Sequence, residues 1–187
     1  NFLEAQGPHT AAGQVGLSAS SAIAISSCFS MLAYATCLLG GYIADNCLGR
    51  YWTILLFALV YVVGVVLVAF AASPQVISTS LCLPLYLLAT FVLVALGTGS
   101  IKPNVMNFGA DQYNIADAQE RKEQASFFSY FYLTINIGVV VAFGFNTNLA
   151  TSEATPDSPG NGFLKAYAIA AASMLLAVLA FVSGTCR

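Results

Sequence analysis

The sequence predicts an all-α membrane protein with five spans, and three observations carry that expectation. Of 187 residues, 58% are hydrophobic and only 7% are charged. A soluble domain carries about a quarter charged residues, so this composition could not clothe a soluble surface. The apolar residues gather into five runs of about 20, the length that crosses a bilayer core as a helix. Polar or turn-rich breaks separate the runs.

The elements follow in order. Residues 1–18 form a leading segment, read as an external loop, and 19–187 form the membrane part. Spans are expected near 19–44, 52–72, 81–105, 126–148 and 163–184. Between them lie "DNCLGRY", "SPQVISTS", the charged "DQYNIADAQERKEQ" and "TSEATPDSPGNG" with its Pro and Gly punctuation. With residues 1–18 outside, Arg50, Arg121, Lys122 and Arg187 fall on the cytoplasmic side and only Lys165 outside, while Lys102 stays within a span. The positive-inside rule selects that orientation. An odd number of spans puts the two ends on opposite sides, and the chain begins without methionine, so it reads as a fragment with one helix missing.

Polar residues inside the spans are the candidate functional groups. In the first span Ser27, Ser30, Tyr34, Cys37 and Gly41 recur at steps of three and four, one helical face that leads to Asp45. In the fourth span Ser129, Tyr132, Asn136 and Val140 make a second stripe. An asparagine side chain has two donors and an acceptor to satisfy, so in lipid it faces another helix or a wet cavity. Small and hydroxylated residues also serve close helix packing, which is the competing reading of both stripes. Ala166, Ala170, Ser173, Ala177 and Gly184 in the last span read as a packing seam, and the second span has no polar stripe.

Lys102 poses the sharpest question. It stands in "GTGSIKPNVMNFGADQY", directly after an apolar run. A lysine near the centre of a membrane helix costs roughly 2.5 to 3.5 kcal/mol, which marks an intramembrane cation as functional unless it snorkels to an interface. Gly97 and Gly99 thin this helix, and Pro103 removes a backbone hydrogen bond one turn earlier. Both features suit a span that bends beside water.

Several function classes are excluded. With 6 Lys+Arg against 8 Asp+Glu there is no basic patch for nucleic acid. The one histidine, His9, lies in the leading segment, no HExxH or GxSxG occurs, and no carboxylates cluster at metal-ligand spacing, so neither an enzyme nor a metal site is expected. The five scattered cysteines form neither a disulfide framework nor a CxxC site.

Three motifs then carry a resemblance. "GGYIADNCLGRYWTI" has the form GxxxDxxxGR at a cytoplasmic turn and resembles the loop motif of the major facilitator superfamily, with an extra residue between Asp45 and Gly49. "GTGSIKPNVMNFGADQY" is similar to the GTGGIKP...FGxDQF segment of the proton-coupled oligopeptide transporters, and "FFSYFYLTINIGVV" to that family's FYxxINxGS motif. The resemblance spans the chain. It implies the major facilitator fold, with these five spans as the second to sixth helices and thus a partial amino-terminal six-helix bundle. The first helix, with its ExxER motif, and the carboxy-terminal half would be partners supplied by the same transporter.

The resemblance also assigns roles. It implies that Tyr34, Lys102 and Asn136 contact substrate, that Lys102 takes part in proton coupling, and that Asp45, Gly49 and Arg50 latch the cytoplasmic gate. The implied activity is symport of di- and tripeptides with protons by alternating access, in a multi-pass protein of the plasma membrane, with the proton as coupling ion and no cofactor. Val139, Asn104, Asn107 and Tyr113 depart from the family pattern. Relatives with these motifs also carry nitrate or other small solutes, which is the alternative function. A non-transporting membrane adaptor is the second alternative, under which the stripes are helix glue.

Overall fold

The computed structural model describes residues 17–77, 80–152 and 162–185. The leading segment with His9, most of the break around 150–162, and Arg187 lie outside them. Among the described residues, five helices are long and apolar enough to cross a membrane. They are α1 (Ala19–Leu48), α2 (Arg50–Ala71), α3 (Cys82–Ala110), α4 (Ala118–Ser152) and α5 (Gly162–Thr185). A single turn, Pro74–Ile77, lies between α2 and α3.

The helices begin and end where the chain supplies the chemistry. Ser18 caps α1, its Oγ accepting from the Ser21 amide at 3.3 Å, and the Asp117 carboxylate accepts from the Gln119 amide at 2.9 Å at the start of α4. Three helices outrun their apolar stretches, the first of them expected to end at 44 and running to Leu48. The third was expected to end at 105 and runs to Ala110, and the fourth was expected from 126 to 148 and extends from Ala118 to Ser152. Hydropathy marks only the part of a helix that lies in hydrocarbon, whereas the backbone continues as a helix through "MNFGA" and "AQERKEQA" because those residues are compatible with it.

Two π-helical segments interrupt the α-helical repeat, at Ala44–Leu48 in α1 and at Ala89–Val94 in α3. A π turn accommodates one extra residue in a helix. The first coincides with the loop motif, so the extra residue between Asp45 and Gly49 is taken up within the helix. Gly49 follows at φ 78, ψ 159, a left-handed φ that strains a residue with a Cβ. The chain then enters α2 at Arg50, and the Thr53 hydroxyl donates back to the Gly49 carbonyl at 2.8 Å.

α2 is central. It packs against α3 on one side and α5 on the other, while α1 covers the far side of α3 and α4 lies against α5 and the end of α3. Small residues set these contacts. A Cβ on Gly64 of α2 would lie 2.7 Å from the Leu93 Cβ of α3, and one on Gly97 of α3 would lie 2.6 Å from the Tyr61 Cβ of α2. Each helix thus offers the other a glycine. At the opposite end from Arg50, buried Ala22, Ala72 and Cys82 gather Tyr86, Phe163 and Tyr167 into a cluster that joins α1, α3 and α5.

The expected seam on α5 is only partly the packed face. Ala166, Ala171 and Val178 are buried, while Ser173 and Gly184 are exposed, and a Cβ at Gly184 would meet nothing. Ser173 turns its hydroxyl to the Ile169 carbonyl at 2.8 Å. Its self-satisfied hydrogen bond removes the need for a partner helix.

Candidate functional site

The face of α1 that carries Ser30, Tyr34 and Cys37 meets α3 at a small open hollow of about 90 Å³. Phe29, Ser30, Ala33, Tyr34 and Cys37 line it from α1, and Thr98, Gly99 and Lys102 from α3. The spacing explains the grouping. Residues 30, 34 and 37 follow one side of α1, and residues 98 and 102, one turn apart, follow one side of α3. At about 30 Å³ per liquid water, the hollow admits a small polar group and not a whole peptide.

Its polar groups divide into parked and available. The Ser30 hydroxyl donates to the Ser26 carbonyl at 3.0 Å and the Cys37 thiol to the Ala33 carbonyl at 3.3 Å. Among the described residues, the Tyr34 hydroxyl and the Lys102 ammonium have no polar partner, and Tyr34 is 71% exposed. Lys102 sits eight residues before the end of α3 at Ala110, about 12 Å along the helix at 1.5 Å per residue. The arrangement is a cation and a phenol on one open flank, with Thr98 beside them. An anion or a carboxylate fits it chemically, because the charge is unpaired and a donor stands beside it.

Asn136 is elsewhere. It is exposed on α4, and its Nδ2 donates to the Tyr132 carbonyl one turn earlier at 2.7 Å. Ser129 bonds in the same way to Ala125 at 3.3 Å, and Val140, the last member of the stripe, is 72% exposed. The Tyr132 hydroxyl approaches Met106 Sδ of α3 at 3.5 Å, so α4 touches the helix that carries Lys102 without bringing Asn136 into the hollow.

The loop motif forms a charged cluster at the end of the bundle. Arg50 Nε lies 3.6 Å from Asp45 Oδ1, its Nη1 pairs with Asp111 Oδ2, and the same Nη1 donates to the Asn107 carbonyl at 3.4 Å. One guanidinium therefore ties the end of α1 to the end of α3. The carboxylates are largely exposed, at 63% for Asp45 and 58% for Asp111, where ion pairs contribute little to stability, about 0 to 1 kcal/mol. Arg121 is anchored in the following loop, its guanidinium donating to the Ile115 carbonyl.

Sequence reasoning missed three residues of this arrangement. Thr98 lines the hollow, and its position one turn before Lys102 was the available signal. Asp111 sits 61 residues from its arginine, and no local pattern pairs them. Asn104, read as a departure, is 2% exposed, and its Nδ2 donates to the Gly40 carbonyl of α1 at 3.1 Å and to the Ser100 carbonyl at 2.7 Å. Gly97 and Gly99, read as thinning the helix, are contact points: Gly97 receives Tyr61 of α2 and Gly99 receives Thr36 of α1.

Five helices long and apolar enough to cross a membrane, packed through glycines and bearing an open flank, define a multi-pass integral membrane protein. Known proteins agree. The family model described as "PTR2: POT family" matches residues 51–187, and the chain belongs to the POT family. It is 38% identical over 165 residues to solute carrier family 15 member 2 of Danio rerio, covering 87% of this chain and 22% of the relative. To protein NRT1/PTR family 8.2 of Arabidopsis thaliana it is 44% identical over 118 residues, covering 58% of this chain and 21% of the relative. The chain thus spans about a fifth of the length of these relatives. Among solved structures, a mutant of the peptide transporter POT in complex with sulfate superposes with a TM-score of 0.74 at 27% identity, covering 91% of this chain and 30% of that one.

Proposed function

We propose that this chain forms one wall of a proton-coupled symporter that moves di- and tripeptides by alternating access. The observation that carries the proposal is the pairing of Tyr34 and Lys102 in one hollow on the open flank of the bundle. The ammonium meets the carboxylate end of a peptide, the Tyr34 hydroxyl bonds the backbone beside it, and Asn136, across on α4, takes a more distant part of the ligand. A hollow too small for a peptide suits this division, since it receives one terminus while the rest of the ligand extends toward the remainder of the transporter. Sites of this kind lie near the membrane midplane, between repeats that rock against each other.

The remainder of the full-length protein covers the exposed faces of α1 and α4, and the Arg50 cluster acts as a latch at the cytoplasmic end. In this reading the proton frees Lys102 for the peptide carboxylate. A carboxylate elsewhere in the transporter holds the ammonium until it is protonated, and each ligand shifts the conformational equilibrium by its differential interaction with the two states. Residues 111–124 face the cytoplasm, because Arg50 is paired with Asp111 at the same end as Arg121 and Lys122, while Lys165 starts α5 at the other.

A small inorganic anion is the second reading. It is favoured by the size of the hollow and by the likeness to the NRT1/PTR protein, since an unpaired cation with one hydroxyl beside it can hold nitrate as well as a carboxylate. Uptake of labelled dipeptide and of labelled nitrate by the full-length protein in proteoliposomes, at two external pH values, separates the two. Dipeptide uptake that rises as external pH falls supports the peptide symporter, nitrate uptake alone supports the second reading, and uptake of neither refutes both.

A further inference from the structure

The hollow has a hidden side. On the flank of the α1–α3 crossing away from Tyr34 and Lys102, two buried side chains reach from one helix to the backbone of the other. Thr36 of α1, 4% exposed, donates its hydroxyl to the Ala95 carbonyl of α3 at 2.9 Å while also lying 2.9 Å from its own Ala33 carbonyl. Asn104 of α3, 2% exposed, donates to the Gly40 carbonyl of α1 at 3.1 Å. One pin therefore runs from each helix, in opposite senses, one turn apart on α1. Steric contacts stand between them, because a Cβ on Gly99 would collide with the Thr36 hydroxyl and one on Gly40 with the Ser100 backbone.

We infer that Thr36 and Asn104 are positioning residues that hold α1 and α3 in one register, and thereby hold the Tyr34 hydroxyl and the Lys102 ammonium at the separation that a ligand terminus requires. Neither side chain lines the hollow; they act through the helices. A slide of one helix past the other by a turn, about 5.4 Å, breaks both pins together and drives Ser100 against the wall of α1. Packed helix pairs have discrete arrangements and not a continuum, so the two helices move as one body during any conformational change, and ligand contacts on them stay matched. The inference rests on the reading of Tyr34 and Lys102 as ligand contacts.

The test uses the full-length transporter in proteoliposomes with a labelled dipeptide. Thr36→Val and Asn104→Leu keep shape while removing one interhelical bond each, and Thr36→Ser keeps the hydroxyl. Positioning predicts that each of the first two raises KM for exchange about two- to tenfold, the range expected for one lost neutral hydrogen bond, with maximal rate and membrane level within about twofold. Thr36→Ser stays near wild type. In a Tyr34→Phe background the effect of Thr36→Val shrinks to under about twofold, since sites that act through one another are not additive. Unchanged KM, or an effect that is equally large with Tyr34 removed, overturns the proposal. A second readout needs no substrate. In an otherwise cysteine-free protein, native Cys37 and a cysteine at Thr98 flank the same hollow and cross-link with a short dithiol-bridging reagent. Thr36→Val with Asn104→Leu lowers that yield if the pins set the register, and an unchanged yield refutes it. If the wild-type protein transports no dipeptide, the proposed function fails, and the cross-link alone decides the register.

Discussion

Helices α2 and α4 are both long and apolar enough to span a bilayer, yet the fold uses them in opposite ways. The α2 window has a mean hydropathy of 3.0 and is 44% buried within the bundle, while that of α4 reaches 1.7 and is 0% buried. Between Thr53 and Ala71, α2 has one tyrosine, Tyr61, and no other polar side chain, so apart from that hydroxyl its polar groups are those of the backbone, and its glycine, alanines and valines are free to pack. α4 carries Ser126, Ser129, Thr134 and Asn136, and each bonds a carbonyl of its own preceding turn. Such bonding back to the helix leaves the polar group satisfied without a partner. A helix that satisfies itself can stand beside water or slide along a neighbour; one that packs through glycine cannot. The chain thus divides into a scaffold and a wall.

The largest expected effect tests the scaffold. Gly64→Leu places side-chain atoms on Leu93 and Val94 of α3, and overpacking of this kind costs about 1 to 3 kcal/mol. Its counterpart in α4, Gly138→Leu, meets nothing within 4 Å. Thermal melting of the 187-residue chain in detergent should therefore fall clearly for the first and stay nearly level for the second. Equal losses would erase the distinction between the two helices.

A smaller effect tests the wall. In the full-length protein, Tyr34→Phe and Asn136→Ala each remove one hydrogen-bonding group from exposed positions, worth roughly 0.5 to 1.5 kcal/mol for a neutral bond. Apparent affinity for dipeptide should drop about two- to tenfold, with normal amounts in the membrane. Loss of the protein with unchanged affinity among the survivors would mean that the stripes are packing surfaces.

The smallest effect on stability belongs to the charged cluster at the end of the bundle. Arg50→Ala separates Asp45 and Asp111 from their common guanidinium, but both carboxylates are open to solvent and the Arg50 side chain is partly so. Stability should change by under about 1 kcal/mol, while uptake slows if the cluster is a latch. The exchange of charges, Arg50→Asp with Asp111→Arg, should recover part of the rate. A melting point that drops as far as with Gly64→Leu would move the cluster from latch to scaffold.

The difference between α2 and α4 also shows what the sequence could tell. The five spans were legible because a bilayer demands about 20 apolar residues in each, and the stripe of Ser30, Tyr34 and Cys37 was legible because a helix repeats every 3.6 residues. The ends of α3 and α4 were not, since hydropathy is silent about a helix once it leaves hydrocarbon. Asn104 looked like an anomaly because a buried amide and an exposed one are the same letter; only the facing Gly40 carbonyl distinguishes them. The direction in which Gly97 and Gly99 face, one toward α2 and one toward α1, depends on which helices are neighbours, and periodicity does not carry that. For Ser173 and Gly184 of α5, spacing indicated a common face but not whether a partner covers it.

Lys102 connects scaffold and wall, since it stands on α3, the helix pinned between α1 and α2, and points its charge to the open flank. The most direct measurement is accumulation of labelled dipeptide by full-length Lys102→Gln in proteoliposomes under an imposed proton gradient, beside exchange of the same dipeptide without one. Glutamine keeps hydrogen-bonding capacity and removes the charge. The account predicts that gradient-driven accumulation is lost while exchange continues at a reduced rate. Accumulation at the wild-type rate with the same pH dependence would contradict it, and would leave Lys102 as an anchor with no part in coupling.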